Sequence, residues 1–204
     1  MHPFPVKNLL IDLGDVLYAI DIKSTLDKYA LLARDKGTRI EFSKSGQNEW
    51  FSLLDTGKVE IDEFAAGLRE DFNLDADIET IKRIWLELLV GVIPGREALL
   101  RQLGQRYRLA LLSNTSRYHF QHFSPQCKPL FDQMDHLFLS FEMGLRKPHP
   151  EIYLAALESA GWKAEETLFL DDSHPNIQTA ETLGLRTWWI ERHEDFERMA
   201  EVYG

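Results

Sequence analysis

The stretch from Val6 to Leu13, VKNLLIDL, followed by Gly14, decides the fold of this chain. It is a short, mostly apolar run that carries an acid, Asp12, just before its end. Continuous apolar runs of this length are typical of strands that are buried on both faces of a parallel sheet. The run therefore predicts a buried strand with Asp12 at its carboxyl end.

Similar apolar runs recur along the chain and alternate with helical patterns. The runs are Arg108–Leu112 (RLALL), His136–Leu139 (HLFL), Thr167–Leu170 (TLFL) and Arg186–Ile190 (RTWWI). The helical patterns cover Arg96–Arg106, Pro150–Ala160 and Asn176–Leu183. Alternating strands and helices predict an α/β fold, with a Rossmann-like parallel sheet and helices on both faces.

The segment 21–92 breaks this alternation. It has few β-branched runs and contains amphipathic patterns such as Ile81, Ile84, Trp85 and Leu88. We predict a small helical cap at 21–92, inserted between the first and second core strands, and a catalytic core formed by 1–20 and 93–204. We expect the cap to cover Asp12 and to exclude water during the reaction.

Charge and composition limit the classes of partner. The chain has 204 residues, with 33 Asp and Glu against 23 Lys and Arg, for a formal net charge of -10. Nucleic-acid backbones are held mainly by Lys and Arg, so we expect no nucleic-acid partner. A small phosphorylated ligand needs positive charge only locally, and it stays compatible with this composition.

The sequence also favours a cytoplasmic location. Cys127 is the only cysteine, which excludes an intrachain disulfide and indicates a reducing compartment. The first residues, MHPFPVKN, lack the pattern of a signal peptide, and no apolar run approaches the length of a membrane span. We therefore expect no membrane partner. The sequence leaves the oligomeric state open.

Polar residues follow the predicted strands at their carboxyl ends, where open parallel sheets bind ligands. They are Asp12, Ser113, Asn114, Asp171 and Asp172, with Lys147 on a loop after another candidate strand. Three converging carboxylates would repel one another unless a cation lay between them. Because the ligands are oxygens, with no cluster of Cys or His, this pattern favours Mg²⁺.

Four motifs carry these residues. They are LLIDLGDVL with Asp12, LLSNTS with Ser113, GLRKPHPEIY with Lys147, and LFLDDSHPN with Asp171 and Asp172. Each motif is weak alone, but in this order and at these spacings they resemble the haloacid dehalogenase superfamily over nearly the whole chain. The insert is similar to the small first-type cap of that superfamily. Within it, SNTSRYH, GLRKPHPEIY and DDSHPNI are most similar to bacterial α-D-glucose-1-phosphate phosphatases and their relatives.

The resemblance implies a magnesium-dependent phosphomonoesterase that acts on a small phosphorylated metabolite, with sugar phosphates among the candidates. It implies that Asp12 attacks phosphorus and forms an aspartyl-phosphate. Magnesium would be held by Asp12, the backbone carbonyl of Gly14 and Asp172. Asp171 would act through a metal-bound water or by orienting Lys147.

The resemblance also implies how the phosphoryl group is held. Lys147 would offer a positive charge to the phosphoryl oxygens, Ser113 would donate a hydroxyl hydrogen bond, and the Asn114 amide would add another. One position departs from the family pattern. Most phosphatases of the superfamily have a second aspartate two residues after the nucleophile, where this chain has Gly14. Asp15 should point elsewhere, so the residue that protonates the leaving group is left open.

Three other functions compete with a phosphatase. A 2-haloacid dehalogenase also lacks the second aspartate, but it needs no metal, and the pair Asp171–Asp172 argues against it. A phosphomutase would need an acid and base that Gly14 does not provide. A non-catalytic binding or regulatory protein could retain the fold, but the nucleophile and metal positions are intact.

Several other side chains are better explained by structure than by chemistry. His119 and His122 could be a metal pair on a helix, but no third ligand is visible, so we expect a structural role. His149 and His174 lie in the third and fourth motifs and are expected to be loop or cap residues. The aromatic residues of the insert are expected to form its core; they are Trp50, Phe51 and Trp85.

Overall fold

The structure is a computed structural model that describes residues 5–35 and 49–204. Its strands are β1 (Asn8–Ile11), β2 (Tyr18–Ile20), β3 (Leu89–Val92), β4 (Arg108–Ser113), β5 (His136–Leu139), β6 (Thr167–Asp171) and β7 (Arg186–Trp189). Five of them form a parallel sheet in the order β5-β4-β1-β6-β7. The predicted α/β fold with a parallel sheet is confirmed.

Strand β1 lies at the centre of this sheet. It pairs with β4 on one side and with β6 on the other, and all four of its residues are buried. Because side chains alternate along a strand, Leu9 and Ile11 face one apolar cluster and Leu10 faces the other. The residue that follows, Asp12, therefore lies at the carboxyl edge of the sheet, between β4 and β6.

Helices lie on both faces of the sheet and in the segment between β2 and β3. In chain order they are α1 (Ile22–Leu32), α2 (Glu49–Asp55), α3 (Ile61–Asp71), α4 (Ile78–Leu86), α5 (Arg96–Leu103), α6 (Arg117–Phe131), α7 (Ser140–Met143), α8 (Pro150–Ala160), α9 (His174–Thr182) and α10 (Glu194–Tyr203). Helices α5, α6 and α10 supply apolar side chains to one face, while α8 and α9 supply the other. Within the described residues, no helix is both long and apolar enough to cross a membrane.

The described residues between β2 and β3, 21–35 and 49–88, form a helical layer with a core of its own. The rings of Phe51, Phe64 and Trp85 lie 5.2–5.3 Å apart, and the Tyr29 hydroxyl donates a hydrogen bond of 2.8 Å to the carbonyl of Ile81. Phe51 and Trp85 thus pack in the interior of this layer, as expected. The cap boundaries at 21 and 92 stay a prediction, and residues 36–48 of that range lie outside the described part of the chain.

The ribbon formed by β2 and β3 was not predicted from the sequence. These strands pair antiparallel, with Tyr18 opposite Val92, whereas residues 89–92 were expected to belong to the helical insert. Strand β3 reads LVGV and has no fully buried residue, so it lacks the continuous apolar run that marked the core strands. The ribbon brings both ends of the insert together close to Gly14, since a Cβ on Gly14 would lie 3.2 Å from Ile20 Cδ1.

Candidate active site

Lys147, in the third motif, contacts residues of the first and fourth motifs at the carboxyl edge of the sheet. Its Nζ donates to Asp12 Oδ1 at 2.6 Å and to Asp171 Oδ2 at 2.6 Å. Only 1% of the Lys147 side chain is exposed. Burial alone would lower the pKa of Lys147, but the two carboxylates outweigh it and raise the pKa. The structure therefore places a buried ammonium between two of the predicted carboxylates.

The carboxylates outnumber the positive charge that the protein supplies. Burial raises the pKa of Asp12 to about 6; Lys147 opposes this shift and Asp171 adds to it. Oxygens of Asp12, Asp171 and Asp172 all lie within 4.8 Å of one another. Among the described residues, no other group of three Asp, Glu, His or Cys side chains comes together in this way. An all-oxygen set of this charge fits Mg²⁺.

Asp171 has hydrogen-bond partners on both carboxylate oxygens. Its Oδ2 accepts from Lys147, and its Oδ1 accepts from the Ser173 backbone N–H at 2.8 Å and from Asn176 Nδ2 at 2.9 Å. The side chain is fully buried. These contacts fix the direction of the carboxylate, and through it the position of the Lys147 ammonium. Asn176 donates to Asp171 and so lies one contact away from Lys147.

Asn114 holds the loop that carries Lys147. Its Nδ2 donates to the Lys147 carbonyl at 2.8 Å, and its Oδ1 accepts from the Lys147 backbone N–H at 2.8 Å. The amide therefore positions the main chain of Lys147. Ser113 is buried at the last position of β4, while Asn114 and Thr115 line the neighbouring cavity. The predicted contacts of Ser113 and Asn114 with a phosphoryl group stay predictions.

A cavity of about 120 Å³ opens beside these groups. On its core side lie Asp12, Lys147 and Asp172, and helices of the insert contribute Asp55 and Trp85. The insert therefore lines part of the cavity beside Asp12.

Two charged residues that line this cavity, Arg146 and Asp55, were not predicted as site residues from the sequence. Arg146 Nη2 lies 3.4 Å from Asp55 Oδ2. Burial raises the pKa of Asp55 to about 6, although the Arg146 guanidinium acts in the opposite direction. Arg146 directly precedes Lys147 in GLRKPHPEIY, so its place in the motif was a usable signal. Asp55 ends a short helix and carried no such signal.

His119 also lines the cavity, but it is not half of a metal pair. Its Nε2 donates to the Trp85 carbonyl at 3.0 Å, and its ring stacks on the Trp85 ring at 4.9 Å. Burial lowers the pKa of His119 to about 4, so the ring is neutral near pH 7. His122 is exposed and contacts the Tyr118 carbonyl at 2.8 Å. The expected structural role of both histidines agrees with these contacts.

Gly14 stands where most phosphatases of the family have a second aspartate. Asp15, His149 and His174 are near this position or in the later motifs, but none of them lines the cavity beside Asp12. Asp15 adopts a φ of 56°, and its Oδ1 accepts from the Ile20 backbone N–H at 3.1 Å, which fixes the turn into β2. His149 precedes helix α8, and the His174 ring packs on Trp189 at 5.0 Å. Neither histidine lines the cavity.

One family model and several known proteins match the chain. Residues 6–184 match the haloacid dehalogenase-like hydrolases. A D-ribitol-5-phosphate phosphatase of Bacteroides thetaiotaomicron is 31% identical over 203 residues, covering 97% of this chain and 98% of the relative. A solved haloacid dehalogenase family enzyme of that organism, in complex with magnesium and inorganic phosphate, has a TM-score of 0.78 and 31% identity, covering 95% and 98% of the two chains. A sesquiterpene phosphatase of Aspergillus oryzae is 26% identical over 186 residues, covering 88% and 87%.

Proposed function

Because this chain belongs to the haloacid dehalogenase-like hydrolases, we propose that it is a magnesium-dependent phosphatase of a small phosphorylated metabolite, with Asp12 as the nucleophile. The observation that carries the proposal is the buried contact of Lys147 with Asp12 and Asp171, beside a third carboxylate on one cavity. The similarity to a D-ribitol-5-phosphate phosphatase over nearly the full length of both chains supports the same reaction.

The residues act in two steps. An Asp12 carboxylate oxygen attacks phosphorus, the bond to the leaving-group oxygen breaks, and an aspartyl-phosphate forms. Water then attacks phosphorus, which releases phosphate and restores the Asp12 carboxylate. The Lys147 ammonium offsets the negative charge of Asp12, so that an anionic phosphoryl group can approach it. Asp171 and Asn114 position Lys147 from opposite ends, through its ammonium and its main chain.

Asp12, Asp172 and the carbonyl of Gly14 would hold the magnesium ion. When bound, the ion supplies positive charge that stabilises the transferring phosphoryl group. Asp171 stays a candidate ligand, but its two oxygens already accept hydrogen bonds from protein donors, which favours its orienting role. Ser113 is proposed to donate its hydroxyl to the phosphoryl group.

A sugar or polyol phosphate is the proposed substrate class. The relative named for D-ribitol 5-phosphate supports it. The narrower similarity to α-D-glucose-1-phosphate phosphatases stays a prediction. We also propose a cytoplasmic location, with neither nucleic acid nor membrane as a partner, on the basis of the single cysteine and the net charge of -10.

Turnover of p-nitrophenyl phosphate with magnesium and with EDTA tests this function. We expect phosphate release that requires magnesium and is abolished by EDTA. A panel of phosphorylated metabolites at fixed magnesium then ranks the substrates. Halide release from 2-haloacids, without any phosphatase activity, would instead identify a dehalogenase. No turnover of either kind would favour the non-catalytic alternative.

A further inference from the structure

The cavity beside Asp12 contains a second pair of charges that the transfer of phosphate does not use. Arg146 and Asp55 face each other across the contact between core and insert, with Nη2 and Oδ2 3.4 Å apart. Their side chains are 9% and 15% exposed, respectively. A buried ion pair of this length is looser than a good hydrogen bond, so it leaves both groups able to bind something else.

Two buried polar groups of residues that line the cavity have unused hydrogen-bonding capacity. Arg146 Nε is buried and has no hydrogen-bond partner among the described residues. The Ser173 hydroxyl, which lines the same cavity, is also buried without a partner among them. Buried donors are almost always satisfied in native proteins, and leaving one unsatisfied is costly. These donors therefore point to a polar ligand.

Asp55 lies beside Arg146 because the insert packs closely against the core at this point. Asp55 ends helix α2, and Gly57 follows with a φ of 66°. A Cβ on Gly57 would lie 2.6 Å from the carbonyl oxygen of Phe141 in the core helix α7. Only glycine permits this contact without a shift, so the sequence at this point sets how closely Asp55 sits to the core.

We propose that Asp55 and Arg146 bind hydroxyl groups on the carbon chain of the substrate, and so select a polyol or sugar phosphate over an alkyl or isoprenoid phosphate. This inference rests on the proposed phosphatase function. Asp55 and Arg146 are then specificity-determining residues that act on the substrate away from its phosphorus atom.

The chemistry of the pair favours hydroxyl groups over the alternatives. A hydroxyl can accept a hydrogen bond from Arg146 and donate one to Asp55, whereas the carboxylate of Asp55 would repel a second anionic group. An alkyl chain would leave the Arg146 Nε–H buried without an acceptor. The apolar wall formed by Ile20, Ile22 and Trp85 suits the C–H groups of a short carbon chain.

The test is a ratio of kcat/KM values. The best substrate from a panel of five- and six-carbon polyol and sugar phosphates is compared with the alkyl phosphate of the same carbon number. Sites that hydrogen-bond a substrate hydroxyl can reject the analogue without it by large factors, about 10⁴ or more in favourable cases. We expect the wild-type ratio to exceed about 10², and Asp55→Asn and Arg146→Lys each to lower it at least about tenfold.

The matched controls alter an ion pair outside the cavity. Arg34 Nη2 lies 2.9 Å from Asp75 Oδ1, and both side chains are exposed. Arg34→Lys and Asp75→Asn make the same chemical changes there and should leave the ratio at its wild-type value. For a variant that loses turnover on both substrates, calorimetric binding of the two compounds in an Asp12→Asn background gives the equivalent ratio of dissociation constants.

The outcomes separate the two proposals. If wild-type protein turns over p-nitrophenyl phosphate but prefers no polyol or sugar phosphate to its alkyl counterpart, the hydroxyl site is wrong and the phosphatase stands. If Asp55→Asn and Arg146→Lys keep the wild-type ratio, the site is also wrong. If wild-type protein shows no magnesium-dependent turnover and binds neither compound, both proposals are overturned.

Discussion

The ammonium of Lys147 lies 2.6 Å from a carboxylate oxygen of Asp12, although 135 positions separate the two residues in the chain. The parallel sheet makes this contact possible, because Asp12 follows its central strand and the Lys147 loop is held by Asn114, just after the neighbouring strand β4. An ammonium group this deeply buried keeps its charge because carboxylates offset the cost of its desolvation. The contact therefore places the proposed nucleophile, Asp12, directly beside the ammonium that offsets its charge.

Asp172 is expected to hold the metal. Asp172→Ala should lose magnesium-dependent turnover by on the order of 10²-fold or more, because charge on the transferring group is then poorly stabilised. The fold should survive, since Asp172 is only partly buried at the edge of the sheet. Turnover measured across a magnesium titration, together with a thermal unfolding curve, checks both statements.

Asp27→Ala is the control for Asp172→Ala. Asp27 is exposed on helix α1, where it pairs with Lys23, and its loss should leave the magnesium titration as it is in the wild type. An Asp172→Ala protein with wild-type turnover and wild-type magnesium dependence would remove Asp172 from the metal site.

Gly57 is expected to control the approach of the insert to the core. Gly57→Ala introduces a strained φ, at about 1 kcal/mol, and a clash with the Phe141 carbonyl. We expect kcat/KM to fall together with thermal stability, because the clash moves Asp55 and opens the cavity. Steady-state kinetics and calorimetric unfolding measure the two effects.

Gly161→Ala separates backbone strain from the clash. Gly161 has a φ of 65°, close to the 66° of Gly57, but a Cβ there would meet nothing within 4 Å. This variant should lose stability and keep its kcat/KM. Equal losses of kcat/KM in both variants would show that the close approach at Gly57 does not matter for the site.

His119 should make the protein less stable in acid. Burial lowers its folded pKa from 6.5 to about 4, so between those pH values the unfolded chain binds a proton that the folded chain does not. Stability should therefore fall as pH drops through this window, by up to about 3 kcal/mol from this residue. His119→Gln should lose that part of the pH dependence in denaturant unfolding between pH 4 and 7.

His122→Gln is the matched variant, one turn along the exposed face of the same helix. It should keep the acid-dependent loss that His119→Gln removes. The assignment would be wrong if the pH dependence disappeared in His122→Gln and persisted in His119→Gln.

Gly14 should make the enzyme slow on poor leaving groups. General acid–base catalysis accelerates a reaction step by roughly 10²–10⁴-fold, and glycine at position 14 has no side chain that could act as the acid or base. With p-nitrophenyl phosphate, whose leaving group needs little protonation, hydrolysis of the phosphoenzyme should limit the rate. Rapid mixing should then show a burst of p-nitrophenol close to one per active site.

Gly14→Asp should raise steady-state turnover. The new Cβ would meet the Ile20 side chain, with Cδ1 at 3.2 Å and Cγ1 at 3.9 Å, and this flexible side chain can shift. Absence of a burst, a preference for alkyl phosphates and a slower Gly14→Asp variant would together indicate that another group already acts as the acid and base.

The sequence predicted the parts of the molecule that depend on local pattern. Apolar runs located the core strands, and the polar residues at two strand ends, Asp12 and Asp171, lie close together because parallel strands bring their carboxyl ends to one edge. Lys147 lies on a loop and was singled out by its motif alone. The β2–β3 ribbon lacked a buried run and was missed. Asp55 could not be found, since its role depends on how the insert packs on the core, and no pattern near residue 55 encodes that contact.

The measurement that tests the account most directly is the identification of the phosphorylated residue. Wild-type protein, quenched in acid during turnover of a labelled phosphomonoester, should carry one phosphoryl group on Asp12. Asp12→Asn should carry none, and its turnover should fall by roughly 10⁴-fold or more. Asp15→Asn, which alters the carboxylate that accepts from Ile20, should still be labelled at Asp12. Label on another residue, or near-wild-type turnover by Asp12→Asn, would contradict the account.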